Sequence, residues 1–274
     1  MPVGVSIQHD GGEPRYYAWG HPTENNCTKA EAREALRQAY ESGEDLLFHN
    51  GKFDLDVCEA HLGLPIPHWS RCHDTLYLLF LCDPYAPTLS LKPSAQRLLG
   101  MPPEEQEAVY EWLEEHGFIA STTRKGKRSW PKNAGAYICH APGRLVGEYA
   151  KGDVVRTYRL FQHLYPTLDE GMRKAYDRER RLMPVLLANE RRGMRVDLPR
   201  LLEEIPKYQA AKEKCDAWIR ERLGNSSLNL DSDQDLAKAL EMMGEVTEWT
   251  KTPTGRNSVS KKNLPPDKFR TPEL

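Results

Sequence analysis

The chain has 274 residues, enough for one large domain or two smaller ones, and its 39% hydrophobic and 28% charged residues are ordinary for a soluble globular protein. No apolar run approaches the ~18 residues that would span a membrane, and the opening residues do not read as a signal peptide. The six cysteines lack CxxC spacing, which predicts a reducing, cytoplasmic location. A net charge of −2 leaves a nucleic-acid partner open, because basic residues can concentrate in one patch.

The first hundred residues alternate short strands with helices. Residues 3–7 alternate like a strand, residues 10–13 are typical of a turn, and residues 15–19 read as the return strand, which together predict a β-hairpin. Thr28 and Glu31 form a capping box that opens a helix to about Ser42. The segments that follow predict a buried strand at 46–49 and helices at 52–62, 76–81 and 89–100. This order favours an α/β fold with a mixed sheet flanked by helices.

The middle of the chain predicts two further helices, at 102–116 and 144–164, separated by an irregular segment at 117–143. From residue 167 the sequence becomes more charged and predicts amphipathic helices at 177–192, 199–223 and 232–243. The tail at 251–274 has little apolar content, so we expect it to be extended or poorly ordered. The sequence therefore predicts an α/β domain at 1–166 and an all-α segment at 167–274.

Two short patterns carry candidate catalytic residues. Asn50 to Asp54 follows an apolar strand, and Tyr149 and Asp153 lie four residues apart in a helical pattern, so they share one helix face. Two-metal nucleases hold a pair of Mg²⁺ or Mn²⁺ ions about 3.5–4 Å apart with carboxylates. Asp54 and Asp153 are candidate metal ligands, and the Tyr149 hydroxyl could orient a water molecule.

Each of these residues also has an ordinary structural interpretation. Asp54 could be a first-turn acid that the helix dipole stabilises, and Asn50 could be a turn residue. Tyr149 and Asp153 could be a partly buried aromatic and a solvated acid. Their occurrence together, in this order and on these element types, favours the nuclease interpretation.

A basic cluster at 124–128, beside Trp130, lies in the segment predicted to be irregular. Lys125 and Arg128 are candidates for contact with a phosphate backbone, with Trp130 stacking on a base. A solvated loop is the alternative interpretation.

Several segments resemble the 3′–5′ proofreading exonuclease domain of family A DNA polymerases, which belongs to the DEDD superfamily, tyrosine subclass. The matching segments are 46–54, 73–75, 89–92 with 98–100, and 149–157. The downstream half resembles the start of the polymerase region of the same family, at 177–186, 190–197, 228–236 and 251–260. The resemblance thus covers nearly the whole chain.

The resemblance implies an RNase H-like fold followed by a thumb-like helical segment, in a bacterial or phage-like replication context. Asp54 and Asp153 would bind Mg²⁺ or Mn²⁺, and Tyr149 would position the attacking water. Asn50 and Phe53 would belong to the substrate-binding region, where Asn50 would lie near the substrate and Phe53 would be a packing residue. The implied partners are the 3′ end of single-stranded DNA, primer-template DNA and the rest of the polymerase chain. Asp74 matches a strand-to-helix position that is usually structural.

One family motif is missing. The family's first strand carries Asp-x-Glu and would precede residues 3–7, whereas Asp10 and Glu13 are turn residues with the wrong spacing. The palm and fingers of the polymerase are also absent, so the resemblance implies a fragment. Two main functions remain open: a proofreading exonuclease domain, or an inactive module that binds single-stranded DNA or acts as a scaffold. A ribonuclease of the same superfamily agrees poorly with the polymerase-like downstream half.

Overall fold

The structure, a computed structural model, describes residues 1–124 and 127–271. The chain is mixed α/β, with about 57% helix and small sheets. It divides into two compact units, Met1–Gly193 and Met194–Leu274. Among the described residues, no helix is both long and apolar enough to cross a membrane.

The strands of the first half form two separate two-stranded sheets. The antiparallel hairpin pairs β1 (Gly4–Ile7) with β2 (Arg15–Ala18), as the sequence predicts. The parallel pair joins β3 (Leu46–Phe48) to β4 (Cys72–Asp74). Within the described residues β1 and β3 are not paired with each other, so each has one open edge.

Seven helices complete the first unit as described: α1 (Lys29–Glu41), α2 (Gly51–Leu62), α3 (Thr75–Cys82), α4 (Leu91–Leu99), α5 (Glu104–Glu115), α6 (Gly143–Leu164) and α7 (Glu170–Arg192). The predicted capping box at Thr28 and Glu31 is present at the start of α1. Asp74 and Asp169 cap α3 and α7 by accepting first-turn N–H groups. These side chains explain where the three helices begin.

Helix α6 is the central element of this unit. It packs against strands β1, β2 and β3 and against helices α3, α4 and α5. One buried cluster joins its C-terminal half to α3, α4 and α7 through Leu160 and Leu164. A second joins its N-terminal half to α5 through Val146. Residues on α6 are therefore held between several elements.

The segment at 117–143, expected to be irregular, contains regular structure. A second hairpin pairs β5 (Thr122–Arg124) with β6 (Lys127–Ser129), and a 3₁₀ helix spans Ala134–His140. The Arg128 guanidinium pairs with Glu111 and Glu114 of α5, which fastens the hairpin to that helix. The expectation failed because this pairing depends on a helix more than ten residues away.

Helix α7 begins earlier than predicted and packs in the first unit. The buried Tyr176 hydroxyl accepts a hydrogen bond from the Asp74 amide at 2.9 Å. The buried Arg180 donates to the Cys72 carbonyl at 2.7 Å, and Met183 packs in the cluster of α1 and α2. These contacts place the division of the chain after Gly193, whereas the change in sequence character suggested residue 166.

The second unit contains α8 (Leu198–Arg222) and α9 (Asp233–Met243). Its core gathers Leu223, Leu228 and Leu240 with Leu264 from the tail. The tail was expected to be extended or poorly ordered, but its described part, to residue 271, packs against this core. A few apolar residues, spaced along an otherwise polar segment, are sufficient to anchor it to this core, although most of its described residues remain exposed.

Candidate functional site

The turn between β3 and α2 carries the first candidate residues. Asn50 takes a left-handed conformation, with φ 62°, and its side chain does not cap the helix. A Cβ atom on Gly51 would lie 2.6 Å from the Phe48 Cβ, so only glycine fits at this close approach. Phe53 was expected to be a packing residue, but its side chain is 65% exposed. The helical turn directs it outward, where it can contact a ligand.

Asp74 organises this turn. Its carboxylate accepts hydrogen bonds from the backbone N–H groups of Asn50 at 2.9 Å, Gly51 at 2.8 Å and Leu76 at 2.8 Å. Burial raises the pKa of this carboxyl group, and the three N–H donors oppose the increase. Asp74 thus ties the start of α2 to the start of α3, in agreement with the structural role that the sequence implied.

Asp54 lies in the first turn of α2. The residue as a whole is exposed, but nearby protein atoms partly desolvate its carboxyl group and raise its pKa to about 7. The negative charge of Asp74 raises it further. The pKa of this carboxyl group is therefore shifted toward neutral pH.

Tyr149 and Asp153 lie on one face of α6, as predicted, and Lys92 of α4 joins them. The Lys92 Nζ lies 2.9 Å from both carboxylate oxygens of Asp153. The same Nζ lies 4.0 Å from the centroid of the Tyr149 ring, which is a cation–π contact. The Lys92 side chain is only 13% exposed. The structure thus forms a compact Tyr149–Lys92–Asp153 cluster.

Arg156 is a second cation next to Asp153 in this cluster. It is buried, lies 3.8 Å from the Asp153 carboxylate, and pairs with Glu105 at the start of α5. A Cβ on Gly152 would lie 2.2 Å from the Glu105 carboxylate, so the glycine leaves room for that acid. Burial raises the pKa of Asp153, whereas Lys92 and Arg156 oppose the increase. Two cations therefore compensate this half-buried carboxylate.

His49 connects the two parts of the site. Its Nδ1 lies 2.9 Å from the Thr75 hydroxyl, next to Asp74. Burial lowers the His49 pKa to about 4, and the positive charge of Lys92 lowers it further. At neutral pH this imidazole is therefore neutral.

Lys92, Arg156 and His49 were not identified as site residues from the sequence. Lys92 lies within a segment that carries the family resemblance, but its partner Asp153 is 61 residues away. Local spacing contains no signal for such a pair. Arg156 follows Asp153 by three residues, the spacing of a helical ion pair, and this signal could have identified it.

The predicted phosphate contacts are only partly described. Lys125 lies outside the described residues. Arg128 is engaged within the chain, because its guanidinium pairs with Glu111 and Glu114 and lies 4.3 Å from the Trp130 ring centroid. Trp130 is in turn in edge contact with Tyr110. Arg128 and Trp130 are thus occupied by contacts within the chain.

The carboxylates gathered here do not make up a two-metal site. Such a site needs several acidic ligands. Among residues 1–124 and 127–271, no group of three or more His, Cys, Asp or Glu side chains could hold a metal ion. The Lys92 ammonium group lies beside the Asp153 carboxylate, in the space that a metal ion bound to Asp153 would need. The residues present therefore do not fit a pair of Mg²⁺ ions without further ligands.

Compared with models of known protein families the sequence matches none, and it matches no curated protein.

Proposed function

We propose that residues 1–193 form an RNase H-like 3′–5′ exonuclease-type domain, of the kind found in family A DNA polymerases, that binds the 3′ end of single-stranded DNA. We further propose that it does not hydrolyse DNA with its own carboxylates alone. The observation that carries the proposal is the Tyr149–Lys92–Asp153 cluster on α6 and α4, with Asn50 and Asp54 at the start of α2. The Lys92 cation would attract the phosphodiester group nearest the 3′ end.

The open strand edges support the fold part of the proposal. Helix α6 packs against both β1 and β3, which belong to different sheets. One additional strand between them would join the two pairs into a five-stranded mixed sheet. Unpaired strand edges favour the addition of such a strand.

The charges around Asp153 support the binding part. Lys92 and Arg156 already neutralise this carboxylate, and Asp54 has a pKa near neutrality. An arrangement with so few free carboxylates holds divalent ions poorly but repels a DNA phosphate less than an acidic cluster would. Binding without cleavage follows from this balance.

The downstream residues extend the proposal. Helix α8 has no buried residue and exposes Leu198, Leu202 and Tyr208. Such a helix is suited to packing within a larger assembly. We propose that residues 194–274 are thumb-like and that their partner is the remainder of a polymerase.

A labelled single-stranded oligonucleotide tests binding and cleavage together. In the presence of Mg²⁺ or Mn²⁺, we expect the chain to bind a free 3′ end more tightly than a circular strand and to leave the label intact. Lys92→Met should remove the preference for the free end. Robust digestion from the 3′ end would overturn the non-hydrolytic proposal, and equal binding of linear and circular strands would overturn the 3′-end site.

A longer chain, with an Asp-x-Glu strand placed before Val3, tests the fold. The added strand should raise the melting temperature and confer Mg²⁺-dependent cleavage. Asp153→Ala should abolish this cleavage, and Tyr149→Phe should slow it because only a hydroxyl group is lost. The control is Glu148→Ala, an exposed acid on the same helix. Full activity of Asp153→Ala, or a melting temperature unchanged by the strand, would contradict the assignment.

A further inference from the structure

Four aromatic rings lie nearly parallel where α5 ends. His116 stacks on Trp112 with centroids 3.8 Å apart and planes 17° apart. Trp112 and Phe118 are 6.1 Å and 14° apart, and Phe118 and His140 are 4.6 Å and 10° apart. We refer to these four residues as the aromatic stack.

Local sequence explains two of the three ring contacts in this stack. Trp112 and His116 are four residues apart on α5, so their side chains meet on one face. Gly117 has φ +76° and ends the helix in a left-handed turn, after which the Phe118 amide donates to the Leu113 carbonyl at 2.9 Å. This turn brings Phe118 back alongside Trp112. His140 joins from the end of the 3₁₀ helix.

The stack is exposed rather than buried. His116 and His140 are exposed, Phe118 is 37% exposed, and Trp112 is half-buried. Part of the aromatic surface of these rings is therefore accessible to water. No contact of the candidate site described above uses these rings.

The stack is connected to the candidate site through packing. Trp112 and Tyr149 pack against the same hydrophobic cluster, which contains Val109, Leu113 and Val146. The stack and the Tyr149–Lys92–Asp153 cluster thus share one rigid support within the first unit.

We propose that the aromatic stack is a base-stacking platform for single-stranded DNA, a role that rests on the proposed DNA-binding function for the identity of the ligand. Nucleobases are flat and can continue a stack of parallel rings, whatever the base sequence. Arg128 pairs with Glu111 and Glu114 of the same helix, which offsets part of the negative charge of α5 that would oppose an approaching strand. The platform contacts bases of the strand rather than its 3′ end.

A circular oligo(dT) and a circular oligonucleotide of equal length without bases separate stacking from phosphate contact. Fluorescence anisotropy should show tighter binding of the strand that carries bases. In Phe118→Ala and in His140→Ala, its affinity should fall about five- to thirtyfold, and the preference for bases should disappear. The salt dependence should not change, because loss of stacking releases no counterions.

Ring-preserving variants keep the test specific. Phe118→Tyr and His140→Phe should retain the preference for bases, and Tyr85→Ala, which removes a 94% exposed ring elsewhere in this unit, should not alter it. Circular dichroism verifies that each variant is folded. Equal binding of the two circular strands, or an unchanged affinity of Phe118→Ala, would overturn the platform. Because circular strands have no 3′ end, these outcomes are independent of the 3′-end site.

Discussion

Two regions of the first unit each hold an aspartate out of bulk water, and they do so by different means. Asp74, between β4 and α3, accepts hydrogen bonds from three backbone N–H groups. Asp153, on α6, is instead held by the side chains of Lys92 and Arg156. Backbone donors are fixed by the fold, whereas long cationic side chains can move to another anion. The first arrangement is suited to structure, and the second is suited to binding.

The largest expected effect is on the backbone-held carboxylate. Asp74→Ala should lower the free energy of unfolding by about 3–5 kcal/mol, since it leaves N–H groups unsatisfied at the starts of α2 and α3. Urea denaturation measures this loss. Asp169→Ala, which removes a single cap from α7, is the control and should cost about 1 kcal/mol. Equal losses in the two variants would show that Asp74 acts only as a local cap.

Removal of the cation at Asp153 should have a smaller effect. Lys92→Met should cost about 2 kcal/mol, less than a fully buried pair, because Asp153 is 26% exposed and Arg156 remains nearby. The double variant Lys92→Met/Asp153→Asn should recover part of this loss, since the uncompensated charge is then absent. Additive losses in a double-mutant cycle would contradict a direct Lys92–Asp153 interaction.

Each region also has a titrating neighbour, and the two change stability over nearly the same pH range with opposite signs. The raised pKa of Asp54, about 7, means that its contribution to stability is lost as the pH rises from about 4 to 7. The lowered pKa of His49, about 4, means that its contribution is lost as the pH falls from about 6.5 to 4.

Urea denaturation across this pH range separates the two groups. In the wild type the two trends oppose each other. Asp54→Asn should therefore leave a stability that increases as the pH rises from about 4 to 6.5, and His49→Gln should leave one that decreases as the pH rises from about 4 to 7. His9→Gln, in the exposed turn between β1 and β2, is the control and should leave both slopes as they are. A wild-type pH profile in either variant would refute the corresponding assignment.

The smallest effect on stability is expected at Tyr149. Its hydroxyl has no hydrogen-bond partner in the part of the chain that the structure describes, and its ring supplies the contact with Lys92. Tyr149→Phe should therefore change the free energy of unfolding by less than about 0.5 kcal/mol. Tyr149→Leu removes the aromatic face and should cost more. A large loss in Tyr149→Phe would reveal a structural role for the hydroxyl.

The sequence by itself determined the features that depend on neighbours a few residues apart. The Thr28–Glu31 capping box, the first hairpin and most helices follow from local hydrogen bonding and periodicity. The shared face of Tyr149 and Asp153 follows from the 3.6-residue helical turn. Asp54 in the first turn of α2 is predictable in the same way.

Only the tertiary structure decided which distant groups meet. It brings Lys92 to Asp153, ties Tyr176 to β4, pairs Arg128 with α5 and adds His140 to the aromatic stack. These contacts join elements whose separation along the chain carries no periodic signal. They form because helices and strands bury their apolar faces against one another. Polar groups that are buried in the same step are stable only if they form hydrogen bonds or ion pairs. The charge balance of the candidate site is thus a consequence of packing.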